Sequence, residues 1–171
     1  MLKILSELLN MSQVEAGKIQ LNISAVNLNE LIDISANALD NTFKEKNIQL
    51  QKDLQPLPVI NADADKLNWV INNFFTNAIK YSQPGGNIKI ASYQRSNKVS
   101  VAVTDDGPGI DPSYYDRIFE RYFQIPGRSD IKGSGIGLAI CKEMIMAMGG
   151  QIWVKSQLGQ GSSFGFDLPV G

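Results

Sequence analysis

The spacing of apolar residues along the chain predicts four helices. They cover residues 1–16, 27–47, 63–82 and 136–148. The first repeats leucines on one face and ends at Gly17, and glycine suits a helix C-terminus because it tolerates positive φ. The second begins at Asn27, an N-cap residue with Glu30 three positions later, and the third begins at Asp63, another N-cap residue. We therefore expect an amphipathic appendage followed by three helices of a folded domain.

Alternation of apolar and polar residues predicts five strands. They cover residues 48–54, 88–94, 98–104, 151–156 and 163–168. Short polar turns, RSN and GQG, separate the second strand from the third and the fourth from the fifth, so each pair is expected to form an antiparallel hairpin. A short helical piece is predicted around residues 114–119, before a loop without apolar periodicity (QIPGRSDIKGSG). This mixture predicts an α+β fold, a two-layer sandwich with helices on one face of a mostly antiparallel sheet.

Composition and charge limit the classes of function. The 171 residues, 43% of them hydrophobic, provide for one packed domain and a short appendage. The 16 basic and 17 acidic residues leave a net charge of −1, which argues against a nucleic-acid or anionic-membrane partner. No apolar run reaches the roughly 18 residues of a membrane span. We expect a cytoplasmic domain without membrane contact of its own, whose parent protein can still be anchored in a membrane.

Two residue counts exclude particular chemistries. The single cysteine, Cys141, rules out a disulfide framework and a Cys/His metal cluster and fits a reducing compartment. The chain contains no histidine. Imidazole is therefore neither a general base nor a phosphoryl acceptor within this sequence.

Four residues with functional side chains share one face of the third predicted helix. Asn73, Asn77, Lys80 and Tyr81 fall at i, i+4, i+7 and i+8. Amide oxygens are hard ligands, so this face can hold Mg²⁺ and phosphate groups. An exposed polar helix face without a role is the alternative for the two asparagines taken alone.

A second group of residues follows the third predicted strand in the sequence TDDGPGI. Asp105 ends the strand, and Gly107 and Gly109 flank a proline. A carboxylate at this point can accept a hydrogen bond from an exocyclic amine, while glycines let the backbone pass close to a flat ring. The segment therefore suits adenine. An ordinary Asp/Gly/Pro turn is the alternative.

A third group, GSGIGL at residues 133–138, opens the last predicted helix. Free backbone N–H groups and the positive end of the helix dipole favour a phosphate there. The segment is neither a Walker loop, which needs Gly-Lys-Ser/Thr, nor a dinucleotide-binding fingerprint between parallel strands. A plain flexible loop is the alternative.

Together the three groups, in this order and at these separations, resemble the catalytic domain of bacterial sensor histidine kinases. This family belongs to the GHKL superfamily, which also contains DNA gyrase, mismatch-repair ATPases and mitochondrial dehydrogenase kinases. NNFFTNAIKYS is similar to its N box, DDGPGI to its first glycine box, IFERYFQ to its F box and GSGIGLAI to its second glycine box. The tail GGQIWVKSQLGQGSSFGFDLP also matches. The resemblance covers nearly every residue and implies a Bergerat-type sandwich that binds ATP.

The resemblance also implies a role for each residue that matches the family pattern. Asn77 coordinates Mg²⁺ with Asn73 beside it, and Lys80 contacts phosphate oxygens. Tyr81 covers the adenine ring, and Asp105 reads its amino group. The residues implied to line the base pocket are Gly107, Gly109 and Ile110. Those implied to contact ATP further along the chain are Phe123, Lys132, Gly133, Ser134, Gly135, Ile136, Gly137 and Leu138.

The catalytic set implied by the resemblance is Asn73, Lys80 and Arg121. Arg121, with Arg128 as a second candidate, neutralises the transferring phosphoryl group. A lid spanning about residues 124–132 covers the nucleotide. The chain departs from the family at Gln124, where many relatives carry an arginine that reaches the nucleotide, so the guanidinium role passes to Arg121 or Arg128.

The resemblance divides the chain into two parts and implies its partners. LLNMSQVEAGKIQL is similar to the C-terminal end of the family's phosphoacceptor hairpin, so residues 1–22 are expected to be a hairpin remnant and linker, and residues 23–171 the ATP-binding domain. The implied partners are ATP or ADP, the phosphoacceptor hairpin of the parent kinase and, indirectly, a response regulator. Since the acceptor histidine is missing, this polypeptide alone cannot autophosphorylate on histidine, and it is expected to be monomeric or weakly dimeric.

Two other functions compete with a Mg-ATP-dependent histidine kinase of two-component signalling. A gyrase-type ATPase carries glutamate where this chain has Asn73, and an amide cannot activate water as a base. A nucleotide-binding regulatory or interaction domain without phosphotransfer is supported by Gln124 and by the stripe of Leu2, Leu5 and Leu9, which can pair with another helix. Packing of that stripe against its own domain is the simpler interpretation. A serine-directed kinase of the anti-sigma type normally lacks the hairpin remnant.

Overall fold

The structure, a computed structural model, describes residues 2–15, 17, 19–127 and 135–170. The helices in this part of the chain are α1 (Leu2–Glu15), α2 (Leu28–Ala38), α3 (Asp40–Glu45), α4 (Ala64–Tyr81) and α5 (Gly137–Ala147), with a 3-10 helix at Pro112–Tyr114. The strands are β1 (Ser24–Val26), β2 (Gln49–Leu54), β3 (Ile60–Ala62), β4 (Asn87–Arg95), β5 (Lys98–Asp105), β6 (Gln151–Gln157) and β7 (Gly161–Pro169). Within these residues, no helix combines the length and apolarity that a membrane crossing requires.

Five strands form one mixed sheet in the order β2-β4-β5-β7-β6. The two predicted hairpins, β4–β5 and β6–β7, are antiparallel, and β7 also pairs antiparallel with β5. β2 instead runs parallel to β4. Parallel neighbours need a long crossover, and here the crossover contains α4. The predicted α+β sandwich with a mostly antiparallel sheet is confirmed.

The core lies between the sheet and the helices on one of its faces. Phe74 of α4 is central, because its ring centroid lies 6.1 Å from that of Phe164 and 6.2 Å from that of Phe166 on β7. Phe75 meets Phe43 of α3 edge-on at 5.6 Å. The opposite face of the sheet carries the exposed side chains of Lys89, Thr104 and Lys155. The aromatic pairs fix how α4 lies on the sheet, and α4 carries the predicted amide face.

Both predicted N-caps are present. The Asn27 side chain accepts a hydrogen bond from the backbone N–H of Glu30 at 3.2 Å, and Asp63 accepts from that of Lys66 at 3.1 Å. The prediction of one helix over residues 27–47 is wrong in its length, because the helix breaks at Leu39. The residues that follow, Asp-Asn-Thr at positions 40–42, prefer the first turn of a helix to its interior, so a second helix begins there.

Two further local predictions need correction. The short helical piece expected around residues 114–119 is a 3-10 helix at Pro112–Tyr114 followed by turns. Asp111 caps it by accepting from the Ser113 N–H at 2.9 Å, which places the start earlier than the apolar pattern indicated. The ribbon of β1 and β3 was not predicted, because strands of three residues are too short to show alternation.

Helix α1 lies beside α5 and buries Met11. Leu5, Leu8 and Leu9 remain 57%, 55% and 68% exposed. More than half of the surface of each of these three leucines is therefore open to solvent. The side chain of Leu2 lies outside the described residues.

Candidate functional site

The C-terminal half of α4 presents two different faces, as predicted. Phe74, Phe75 and Ala78 are buried in the core. Asn73 is also buried, and its Nδ2 donates to the carbonyl oxygen of Trp69 at 2.9 Å. This bond occupies one of the two N–H donors of the amide and orients the side chain, whose oxygen can accept from or coordinate a ligand.

The remaining residues of the predicted amide face lie nearer to solvent. Asn77, Lys80 and Tyr81 are half-buried. The Asn77 side chain makes no hydrogen bond to the part of the chain that the structure describes. The functional face therefore opens from the buried Asn73 toward the C-terminal end of α4.

The end of β5 and the glycine loop at residues 106–110 meet the end of α4. Asp105 is 5% exposed, and its Oδ1 accepts a hydrogen bond from the Gly107 N–H at 2.9 Å. A Cβ on Gly107 would lie 2.5 Å from the carbonyl oxygen of Tyr81, closer than van der Waals contact allows. Glycine is needed here because the loop passes directly over the α4 backbone. The structure thus brings together Tyr81, Asp105 and Gly107, which the sequence predicted as parts of one site.

The hairpin of β6 and β7 supports the other side of the glycine loop. Gly109 has φ +77°, and a Cβ on it would lie 2.2 Å from the carbonyl oxygen of Gln157. The Ile110 N–H donates to Ser156 Oγ at 2.7 Å, and the Gly159 N–H donates to the Pro108 carbonyl oxygen at 2.8 Å. Contacts on both sides of the proline hold the loop in one conformation.

Sequence reasoning missed Ser156 as a support of the site. Its Oγ accepts from Ile110, donates to the Gly161 carbonyl oxygen at 2.8 Å and lies 2.9 Å from Ser162 Oγ. The Tyr115 hydroxyl bonds to both the backbone N–H and the carbonyl of Ser156. The available signal was positional, because Ser156 and Ser162 pair across β6 and β7 on the face whose other residues are apolar.

The F box lies over the end of the aromatic core. Ile118 is buried, and Phe119 meets Phe164 at 6.4 Å between ring centroids. Phe123 is half-buried, with Tyr114 at 5.9 Å and the Arg117 guanidinium at 4.5 Å from its ring centroid. Arg121, the predicted catalytic arginine, is exposed. The F box was predicted from its motif, whereas the stacking of Arg117 on the Phe123 ring was not predicted.

A backbone hydrogen bond joins the F box to the second glycine box. The Tyr122 N–H donates to the Gly135 carbonyl oxygen at 2.8 Å, and both residues have positive φ, +63° and +73°. Ile136 is buried at the start of α5, and Gly137 and Leu138 form its first turn. The other predicted contacts of this region lie outside the described residues: Arg128, Lys132, Gly133 and Ser134.

The chemistry of these residues suits a purine nucleotide. A buried carboxylate can recognise an exocyclic amine. The glycines let the loop pack directly against the backbone of α4 and of β6. The helix that reaches this point brings amide oxygens and a lysine, which suit a hydrated cation and phosphates. The fold and the site together define a nucleotide-binding α+β domain, whose candidate residues lie where the end of α4 meets the loop after β5.

Comparison with known proteins identifies the family. The profile described as "Histidine kinase-, DNA gyrase B-, and HSP90-like ATPase" matches residues 62–171. The chain belongs to this family and is a catalytic domain of the histidine kinase type.

The curated relatives of this chain include sensory kinases. The adaptive-response sensory kinase SasA of Gloeothece citriformis is 37% identical over 170 residues, which cover 98% of this chain and 43% of that protein. SasA of Synechococcus elongatus is 36% identical over 170 residues, covering 98% and 44%. The chain thus spans less than half the length of these curated relatives.

Solved structures give the same assignment. The catalytic domain of histidine kinase ThkA matches with a TM-score of 0.78 at 30% identity, covering 87% of this chain and 98% of that one. Full-length ShkA in complex with AMPPNP matches with a TM-score of 0.87 at 32% identity, covering 98% of this chain and 35% of that one. The resemblance inferred from the sequence boxes is therefore confirmed.

Proposed function

We propose that this domain binds Mg-ATP and donates the γ-phosphate to a histidine on a separate helical hairpin. The observation that supports it most directly is the meeting of Tyr81, Asp105 and Gly107 at one point, with the Gly107 N–H fixing one carboxylate oxygen of Asp105 at 2.9 Å. Fixing that oxygen orients the carboxylate, which would then accept a hydrogen bond from the adenine amino group. The AMPPNP bound to ShkA, a relative in structure, is consistent with an adenine nucleotide as the ligand.

Magnesium fits the donor set of α4. Asn77 offers a half-buried amide without a hydrogen bond to the described residues, and Asn73 has its Nδ2 held by Trp69. Hard amide oxygens of this kind suit Mg²⁺, and Asn77, with Asn73 beside it, would hold the ion. Bound there, Mg²⁺ would neutralise charge on the phosphate oxygens.

Phosphoryl transfer asks the protein mainly for positioning and for positive charge near the phosphates. Lys80 lies one turn beyond Asn77 on α4 and would meet the phosphate oxygens. Arg121 is exposed on the F box and would approach the transferring phosphoryl group. The contacts implied for Phe123 and for the second glycine box, Gly133 to Leu138, belong to the same proposal.

The acceptor and the partners lie outside the sequence of this chain. Since the chain has no histidine, the acceptor must be supplied by another segment. We assign residues 1–22 to the end of the hairpin and its linker, and residues 23–171 to the ATP-binding domain. Histidine kinase ThkA, which is 27% identical to this chain, has been solved in complex with response regulator protein TrrA. That complex supports a response regulator as the protein that receives the phosphoryl group from the hairpin. A kinase of this type acts in the cytoplasm.

Hydrolysis of ATP as the main reaction is disfavoured by Asn73. Hydrolysis needs a general base that takes a proton from the attacking water, and the amide of Asn73 cannot accept that proton. The Asn73 side chain is buried and its Nδ2 donates to the Trp69 carbonyl oxygen. This residue therefore supports phosphoryl transfer over rapid hydrolysis.

The proposal is tested by calorimetric titration of ADP and a non-hydrolysable ATP analogue, with and without Mg²⁺, into the chain and two variants. Asp105→Asn is expected to weaken binding of both nucleotides by about a hundredfold, because the amide presents a donor to the adenine amine. Asn77→Ala is expected to keep weak binding but lose its dependence on Mg²⁺. Asp111→Asn, in the adjacent loop, serves as a matched control that retains wild-type affinity.

A transfer assay completes the test. Incubation of the chain with labelled ATP and a separately supplied hairpin from a 37% identical relative should label the hairpin histidine. Absence of nucleotide binding by the parent chain at millimolar concentration would instead favour an interaction domain that uses the exposed leucines of α1.

A further inference from the structure

Lys46, in the turn between α3 and β2, contacts the end of the helix that carries the proposed nucleotide ligands. Its Nζ donates to the carbonyl oxygen of Ile79 at 2.6 Å and to that of Lys80 at 3.1 Å. Lys46 lies 33 and 34 positions away from these residues in the sequence. The contact therefore joins two elements that neither helix pattern nor strand pairing connects.

These carbonyls need a partner because α4 ends there. A continuing helix would supply donors from residues 83 and 84, but Ser82 is extended, with ψ 147°, and Pro84 has no N–H. An ammonium group at the C-terminal end of a helix bonds the last carbonyls and interacts favourably with the negative end of the helix dipole. Lys46 supplies this charge from outside the helix.

The same turn also holds the segment that follows α4. The carbonyl oxygen of Lys46 accepts from the Gly85 N–H at 2.9 Å, so side chain and backbone of one residue bind both sides of the α4 terminus. The Asp106 carboxylate accepts a hydrogen bond from the Asn87 N–H at 2.9 Å. A Cβ on Gly86 would lie 2.7 Å from the carboxylate oxygens of Asp106. This chain of contacts runs from Lys46 to the residue beside Asp105.

The proposed site lies at the centre of this network. Lys80 and Tyr81 are the last two residues of α4, and Gly107 passes against the Tyr81 carbonyl. A shift of the α4 terminus would therefore move Tyr81, Lys80 and the glycine loop relative to one another. Displacements of a fraction of an ångström at such a site are enough to weaken ligand binding.

We propose that Lys46 is a positioning residue of the nucleotide site, which sets the place of Lys80 and Tyr81 by binding the last carbonyls of α4. It acts through the backbone of α4 and does not touch the nucleotide. This inference rests on the proposed function, because it concerns the same site.

The test compares two substitutions of Lys46 with one at Lys44. Lys46→Met removes the ammonium and keeps most of the side-chain volume, and Lys46→Arg keeps the charge. Lys44 is a matched control, since it lies on neighbouring α3 and pairs only with the exposed Asp40 among described residues, at 2.8 Å. The Kd of ADP is measured by calorimetry at a temperature where circular dichroism finds each variant fully folded.

Lys46→Met is expected to raise the Kd of ADP about tenfold, because a small displacement of Lys80 and Tyr81 weakens their contacts with the nucleotide. Lys46→Arg should restore the affinity to within about threefold, and Lys44→Met should leave it unchanged. If Lys46→Met does not fold, Lys46→Gln, which keeps a donor without charge, is expected to give a smaller increase in Kd.

The outcomes separate this inference from the function on which it rests. Binding of ADP by the parent chain with an unchanged Kd in the folded Lys46 variants overturns the positioning role alone, even if their melting temperature falls. Absence of ADP binding by the parent chain overturns the proposed function and the positioning role together.

Discussion

Gly109 and Gly85 have nearly the same φ but different surroundings. Their φ values are +77° and +80°, which any L-residue with a side chain adopts at a cost. A Cβ on Gly109 would lie 2.2 Å from the Gln157 carbonyl oxygen, whereas a Cβ on Gly85 meets nothing within 4 Å. Backbone strain and steric exclusion can therefore be measured apart from each other.

We expect Gly109→Ala to lower the free energy of unfolding by about 3 kcal/mol and Gly85→Ala by about 1 kcal/mol. Both changes strain the backbone, but only Gly109→Ala must push the glycine loop away from β6. Chemical denaturation measures both values, and ADP titration should find a loss of affinity for Gly109→Ala alone. Equal destabilisation by the two changes would contradict the close approach between the loop and Gln157.

At the scale of elements, Asp63 connects α4 to the segment before β1. Burial would raise the pKa of Asp63, but hydrogen bonds from the backbone N–H groups of Asn22 and Lys66, together with the Lys66 ammonium, outweigh it and lower the pKa. A carboxyl group with a lowered pKa in the folded state stabilises the fold above its unfolded pKa, about 4. That stabilisation is lost as the pH falls through the folded-state pKa.

Asp63→Asn is therefore expected to lower the melting temperature by about 2–4 °C at pH 7. The difference from the parent chain should shrink below about pH 4 and vanish once Asp63 is protonated in both states. Differential scanning calorimetry between pH 7 and pH 3 measures it. Asp33→Asn, which breaks an exposed ion pair with Lys52, should leave the melting temperature nearly unchanged throughout. A difference for Asp63→Asn that is constant with pH would contradict the role of its charge.

Most elements could be predicted because their signals are local. Asn27 and Asp63 cap helices through residues three positions away, and β4 and β5 join through a short turn. The parallel pairing of β2 with β4 depends on where α4 packs, which no local pattern records. The break at Leu39 likewise depends on the competition between helix starts and helix interiors.

The residues of the candidate site also differ in whether a local sequence signal marks them. Asn73, Asn77 and Asp105 stand out by residue type and spacing, and the family boxes add their glycines. Lys46 carries no such signal, and Ser156 carries only that of a polar residue on an apolar strand face. Each contacts a residue more than 30 positions away. Residues that hold a site in place are thus harder to predict than those that form its surface.

For the whole molecule, ligand binding and folding are linked. Because the proposed pocket is made of α4 and the loop after β5, it does not exist in the unfolded chain, so a ligand of the folded state raises stability by mass action. ADP with Mg²⁺ at a hundred times its Kd is expected to stabilise the chain by about 2.7 kcal/mol.

That stabilisation corresponds to a rise in melting temperature of about 5–10 °C. Thermal unfolding with increasing ADP measures the shift, with GDP as the matched nucleotide and Asp105→Asn as the matched protein. Only ADP with the parent chain should give the full rise. An equal rise with GDP would contradict recognition of adenine by Asp105.

The position of β7 has a consequence for synthesis of the protein on the ribosome. This strand follows every other strand in the described chain, yet it lies inside the sheet between β5 and β6 and supplies Phe164 and Phe166 to the core. While the nascent chain emerges, β5 has an open edge and Phe74 lacks its aromatic partners. The domain therefore completes its core only after translation has passed residue 169, and until then β5 keeps an unpaired edge of the kind that promotes aggregation.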